Sequence, residues 1–214
     1  MDAHLVIGFV LAAALLSIVP GQDMLFIISN AVVGGRRTAV LCAVGVSTGI
    51  AVHTVAAAFG LSALIAAAPA ALDVIRWAGA AVLVYFAVST WLASRRHLAA
   101  VTDDQPVPPP RSAARTYAMA VLTNVANPKV IIFYLAFVPQ FVTTGASSWP
   151  VATQFLALGG LLIVVGLTVD STVGLLAGTA AELIRKHRRV RCWLDRVSAA
   201  VFGALAARLV ADSS

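Results

Sequence analysis

The amino-acid sequence predicts an all-α integral membrane protein of six transmembrane helices, arranged as a 3+3 inverted repeat with helices one and four broken. Three observations carry that expectation. The 214 residues are 60% hydrophobic and 11% charged, where a soluble domain carries about 25% charged residues. Six apolar stretches alternate with short polar ones, and the basic residues gather in every second connection. Proline interrupts the first and fourth stretches, at Pro20 and Pro128. The chain is too short for a membrane bundle plus a separate soluble domain, so residues 1–214 are expected to form one transmembrane domain. Its half-repeats would cover about 1–94 and 116–214, with a linker over 95–115.

The first stretch runs from Leu5 to Val33. As one straight helix it would be roughly 43 Å long, against a hydrocarbon core of roughly 30 Å, so a break fits its length. Pro20-Gly21 supplies one, because proline removes a backbone N–H and clashes with the preceding turn. This end is apolar and alanine-rich enough to pass for a signal peptide, but Asp2 stands where a basic segment would be expected, and the apolar run continues past any cleavage site. It reads as a retained first span. Gly34-Gly35-Arg36-Arg37 is a short turn, and the second span extends from Thr38 to about Ala67, before Pro69. Residues Ala70 to Arg76 connect to a third span over Trp77 to about Ser94. The linker holds Pro106-Val107-Pro108-Pro109-Pro110, which favours an extended, solvated chain.

The second half starts near Thr116 and continues to Phe137, followed by Pro139-Gln140-Phe141. A fifth span covers about Trp149 to Ala180, and a sixth about Val197 to Val210 after the basic loop Arg185 to Arg196. Arg208 cuts the apolar core of the sixth short, so Arg196 and Arg208 would have to snorkel to opposite interfaces. Twelve of the 15 Lys and Arg residues lie in the connections after spans one, three and five. By the positive-inside rule those connections face the cytoplasm and both termini lie outside it. The same pattern accounts for the pI of about 10.2 without nucleic acid. Cys42 and Cys192 form no disulfide framework and no metal motif.

Four ionisable side chains remain inside these spans: Asp23, His53, Lys129 and Asp170. Asp23 lies about thirteen residues from Arg36 and Lys129 about fourteen from Arg115, roughly 20 Å along a helix, too deep to snorkel easily. Intramembrane charge at such depth points to function, and each of these two sits beside a helix break. The alternative is a buried ion pair locking the broken helices together. His53 could equally be an interhelical hydrogen-bond donor. Asp170 lies on a glycine stripe, Gly166, Gly174 and Gly178, that close helix packing alone would explain. The stripe Gly45, Gly49, His53 of span two sits 117 residues before its counterpart in span five, against 108 for the two prolines. A longer loop from Pro139 to Trp149 absorbs the difference. Broken helices at matched positions of inverted repeats suggest a transporter's binding site near the membrane midplane. Two breaks, a carboxylate and a lysine suit a zwitterion: free carbonyls attract an ammonium, and a restarted helix attracts a carboxylate.

Val19-Pro20-Gly21-Gln22-Asp23-Met24-Leu25, then Gly34-Gly35-Arg36-Arg37 and Gly45-Val46-Ser47-Thr48-Gly49, resemble the first half of the lysine/homoserine/threonine exporter family. Asn127-Pro128-Lys129 with Phe133, followed by Phe137-Val138-Pro139-Gln140-Phe141, is similar to its second half. Gln22 stands where the family's motif usually has a second proline, and the carboxylate after it is kept. The resemblance implies an inner-membrane exporter of amino acids or their derivatives, driven by the proton gradient, without cofactors, and not an enzyme. It carries a substrate-binding or coupling role onto Pro20, Gly21, Asp23, Asn127, Pro128 and Lys129. His53 and Asp170 join these candidates from the residue reading alone. The expected partners are the bilayer, a small amino-acid substrate and protons, with a homodimer as one open assembly. A metal-cation exporter is the nearest rival, but such sites gather several carboxylates or thiols. An intramembrane enzyme would need a nucleophile–base pair or a metal triad, and the sequence offers neither.

Overall fold

A computed structural model describes residues 3–68, 112–145 and 148–177, with isolated positions 74, 77, 81, 84, 88, 196 and 200. The expected third and sixth spans, most of the linker, Gly178 and Cys192 lie outside the described residues. Those residues are helical throughout their ordered elements, with no strand among them.

Helix α1 spans Ala3–Ile18 and α2 spans Gln22–Ala56, so the chain leaves helical form across Val19-Pro20-Gly21. A second interruption lies inside α2, where Gly35 adopts φ 72° and ψ −168°. That left-handed φ favours glycine. It divides α2 at the Gly34-Gly35-Arg36-Arg37 turn. The division matters for length: Gln22–Ala67 holds 46 residues, roughly 69 Å if straight, more than twice a hydrocarbon core. A π-helical turn over Ala57–Leu61 and the short helix α3, Ser62–Ala67, complete the second apolar stretch.

Helix α4, Ala113–Val125, begins one turn earlier than the sequence suggested, because Ser112 caps it: the Arg115 N–H donates to Ser112 Oγ at 3.4 Å. After a gap at Ala126-Asn127 the chain restarts as α5, Pro128–Ile132, then a π-helical turn over Phe133–Phe137 and a 3-10 turn over Val138–Phe141. The two sides of that gap are bent by 46°. Helix α6, Val151–Leu175, is straight and apolar, with a mean hydropathy of 2.0 over its best window. Among the described residues, by length and composition, two helical stretches could each cross a membrane, or three if the bent pair counts as one.

Helix α2 packs against both α4 and α6, and α1 packs against α6. Glycines set how close these helices come. A Cβ on Gly45 would lie 2.6 Å from the Ala120 Cβ and 2.9 Å from the Tyr117 carbonyl oxygen. One on Gly174 would lie 2.9 Å from the Ala39 Cβ. Two hydroxyl contacts fasten the second apolar stretch to the fourth: Thr48 Oγ1 with the Tyr117 hydroxyl at 2.9 Å, and Thr54 Oγ1 with the Tyr134 hydroxyl at 2.6 Å. Phe9 of α1 packs against Phe133, Phe137 and Phe141, stacked on Phe137 and edge-on to Phe141, with ring centroids 5.3–6.1 Å apart. Away from these contacts the helices present large apolar side chains outward, such as Leu11, Phe59, Leu122 and Val164. A helix apolar on its inner and outer faces alike suits a lipid surround.

Candidate functional site

The site grows out of the two backbone breaks. In a continuous helix the N–H of residue 20 would bond the carbonyl of Leu16. Proline has no N–H, so that carbonyl is left over, and Val19, outside the helix, leaves a second. Lys129 fills this vacancy from the other half of the chain. Its Nζ donates to the Leu16 carbonyl at 2.5 Å and to the Val19 carbonyl at 3.1 Å. The positive head therefore caps the C-terminal end of α1, where the helix dipole also favours a cation.

The second break reciprocates. Asn127 is the N-cap of α5, its Oδ1 accepting the Lys129 backbone N–H at 3.0 Å. Its carbonyl accepts the N–H groups of Val130 and Ile131 at 3.0 and 3.1 Å. Pro128 occupies the first helical position, where a missing N–H costs nothing. The Asn127 side-chain amide is thereby free to face α2, and it donates to Asp23 Oδ2 at 2.8 Å. Asn124, fully buried on α4, donates its own amide to the same oxygen at 2.8 Å. The other carboxylate oxygen, Asp23 Oδ1, is buried with no hydrogen-bond partner among the described residues.

Asp23 and Lys129 are thus each held by the opposite half of the chain, yet they are not bonded to one another. The partners are amides for the acid and carbonyls for the base. Both side chains line one cavity, together with Gly21, Asn124, Asn127 and Asp170. The cavity offers about 60 Å³ to the centres of water-sized molecules, and one water needs ~10–15 Å³ on that measure, so it holds several waters or a small polar group. Apolar side chains, Met24, Ile50 and Phe133 among them, close much of the wall. Asp170 comes from the middle of the α6 glycine stripe and is 7% exposed. It makes no hydrogen bond among the described residues.

Of the residues singled out from sequence, Gly21, Asp23, Asn127, Lys129 and Asp170 meet at this cavity. Pro20 and Pro128 shape its backbone without lining it. His53 stands apart, its ring stacked on Tyr134 with centroids 5.6 Å apart and its Nε2 buried without a hydrogen-bond partner among the described residues. Asn124 escaped the sequence reading. It lies three residues before Asn127, on the same helical face, and that pairing inside an apolar stretch was the available signal. Gly49 makes room for it, since a Cβ there would lie 2.6 Å from Asn124 Oδ1. Among the described residues no group of three or more His, Cys, Asp or Glu is placed to hold a metal ion.

The sequence pattern of LysE type translocators matches residues 14–213. The chain belongs to the LysE family. Among LysE-family relatives, a homoserine/homoserine lactone efflux protein of Salmonella typhimurium is 30% identical over 184 residues, covering 86% of this chain and 85% of its own. An uncharacterized membrane protein of Vibrio cholerae is 35% identical over 173 residues, 81% of this chain and 78% of its own. A leucine efflux protein of Klebsiella pneumoniae is 27% identical over 203 residues, 94% and 92% of the two chains. No solved structure matches the chain. LysE-family proteins are transporters in membranes, not enzymes, and this chain is a membrane transporter of that family.

Proposed function

We propose that this transporter exports an amino acid or amino-acid derivative across the inner membrane in exchange for protons. The observation that carries the reading is the one cavity to which the two broken helices bring Asp23 and Lys129 and α6 brings Asp170. Asp23 suits the substrate's ammonium group: one of its oxygens is fixed by two amides and the other has no partner. The carboxylate has a different setting from the one the sequence suggested. The first N–H groups of α5 are already taken by Asn127, whereas α2 starts at Gly21 with no side-chain cap. That open helix end, with the third N–H of Lys129, complements a carboxylate. Efflux relatives named for homoserine, homoserine lactone and leucine support a substrate of this class.

Overexpression should raise the external concentration of at least one amino acid, with homoserine and leucine the first to assay. A membrane potential supplies about 2.3 kcal/mol per charge per 100 mV, enough for roughly a fiftyfold ratio. A protonophore should therefore stop net export. Export that continues unchanged after the gradient has collapsed would reject proton coupling.

The orientation read from the Lys and Arg distribution forms part of the same reading. The connections after spans one, three and five face the cytoplasm and both termini lie outside it. Cys192 in the basic loop should react with a thiol reagent only when the reagent enters the cell. Efficient labelling of intact cells by a membrane-impermeant maleimide would reverse the assignment.

A further inference from the structure

Among the described residues three charged side chains share the cavity, and the two acids among them are treated very differently by their surroundings. Asp23 Oδ2 accepts two amide N–H groups that can only donate, from Asn124 and Asn127. Such donors are matched to a carboxylate that stays ionised, because they hydrogen-bond the charged form at full strength. Asp170 has none. It is more than nine-tenths buried, faces the cavity from α6, and no amide, hydroxyl or backbone N–H among the described residues holds it. A bare carboxylate in that position is poorly solvated, and taking a proton relieves it without breaking any contact.

Helix α6 packs against α1 and α2. Among the described residues the charged side chains sharing the cavity with Asp170 are Asp23 from α2 and Lys129 from α5, while α1 and α4 contribute the neutral Ser17 and Asn124. Lys129 is committed to the α1 carbonyls. A proton arriving in the cavity therefore meets one acid held through one oxygen by two amides, one base already engaged, and one acid that no hydrogen bond holds among the described residues.

We infer that the two acids divide the work, Asp23 serving as the permanent anion that receives the substrate and Asp170 as the group that carries the exchanged proton. The Asp170 carboxylate takes H⁺ from hydronium entering the cavity from outside, leaving water, and becomes a neutral carboxyl. It returns the H⁺ to water when the cavity opens to the cytoplasm. This assignment rests on the proton-exchange reading above and goes beyond it by separating binding from coupling.

The test uses the full chain in proteoliposomes, with radiolabelled homoserine and leucine as probes. Exchange of internal for external substrate needs binding and reorientation but no net proton movement. Asp170→Asn is expected to retain exchange at close to the wild-type rate. An imposed proton gradient equivalent to 100 mV should support roughly a fiftyfold ratio in the wild type and none in the variant. Asp170→Glu, which restores a titratable carboxyl, should recover accumulation in part. Three results would overturn the inference: accumulation that survives in Asp170→Asn, exchange lost together with accumulation, or an exchange-competent Asp170→Glu that accumulates no better than Asp170→Asn. A second measurement does not depend on a variant folding. A hydrophobic carbodiimide attacks protonated carboxyls, so peptide mass mapping of the wild type should find the adduct on Asp170. An adduct on Asp23 alone would refute the division. A wild-type protein that neither exchanges nor accumulates either probe counts against the proposed function instead, and the carbodiimide map still reports on the two acids.

Discussion

Lys129→Met is expected to abolish export while the protein still inserts into the membrane. The ammonium makes two hydrogen bonds to carbonyls that Pro20 and the unwound segment leave without a helical partner. Hydrogen bonds with a charged partner contribute ~1.5–3 kcal/mol each, so losing both weakens the junction between the two breaks by roughly a hundredfold or more. Methionine keeps the volume and flexibility of the side chain, which spares the packing. The end of α1 would then be uncapped, and Asp23 and Asp170 would share the cavity with no cation. Efflux of preloaded homoserine or leucine from cells expressing equal amounts of each protein measures the effect. Export within a few fold of wild type would show that the α1 carbonyls do not need this partner.

Asp23→Asn should also stop export, for a different reason. Asparagine is nearly isosteric with aspartate, and its carbonyl oxygen can still accept the amides of Asn124 and Asn127. The charge is what disappears, and with it a charge-assisted bond to the substrate's ammonium worth ~1.5–3 kcal/mol, or about a ten- to hundredfold loss in affinity. Combining the two substitutions separates function from scaffolding. If Asp23 and Lys129 were a structural ion pair, removing both charges would leave neither stranded and export should recover. In the structure each is held by its own partners in the other half of the chain. The double variant is therefore expected to remain inactive, and recovery of export would restore the scaffold explanation.

Much of this site was legible because proline leaves an unambiguous mark. Pro20 and Pro128 each remove an N–H from an apolar stretch, and the chain departs from helix at both places. Asp23 and Lys129 were legible because a charge deep in an apolar stretch has few explanations. What each would bond to was not, since the partners are 101 to 113 residues away. An ion pair and a zwitterion site look alike in one dimension. The capture of Lys129 by backbone carbonyls depends on the angle at which two breaks meet, and no residue type encodes that angle. Asn124 was overlooked for a related reason: its spacing of three from Asn127 was a signal, but an asparagine in a span reads as ordinary helix glue until its partner across the bundle is known. The π-helical turns at Ala57–Leu61 and Phe133–Phe137 had no signature either, because their sequences are ordinary apolar helix. His53 was drawn toward the site by the glycine stripe it extends. Its place against Tyr134 follows from the π-turn that presents that ring.

The separation of these partners along the chain also has a consequence for biogenesis. Ribosomes add about 5–20 residues per second, so Asp23 emerges ~5–20 s before the asparagines and the lysine that complete its surroundings. During that interval the nascent first half holds an unneutralised carboxylate and an uncapped helix end in or beside the bilayer, each costing several kcal/mol if fully exposed to lipid. The early segment must wait in a wet or proteinaceous shelter, such as the insertion channel, until the later one arrives. Assembly of the binding cavity and release of the chain into lipid are then one event.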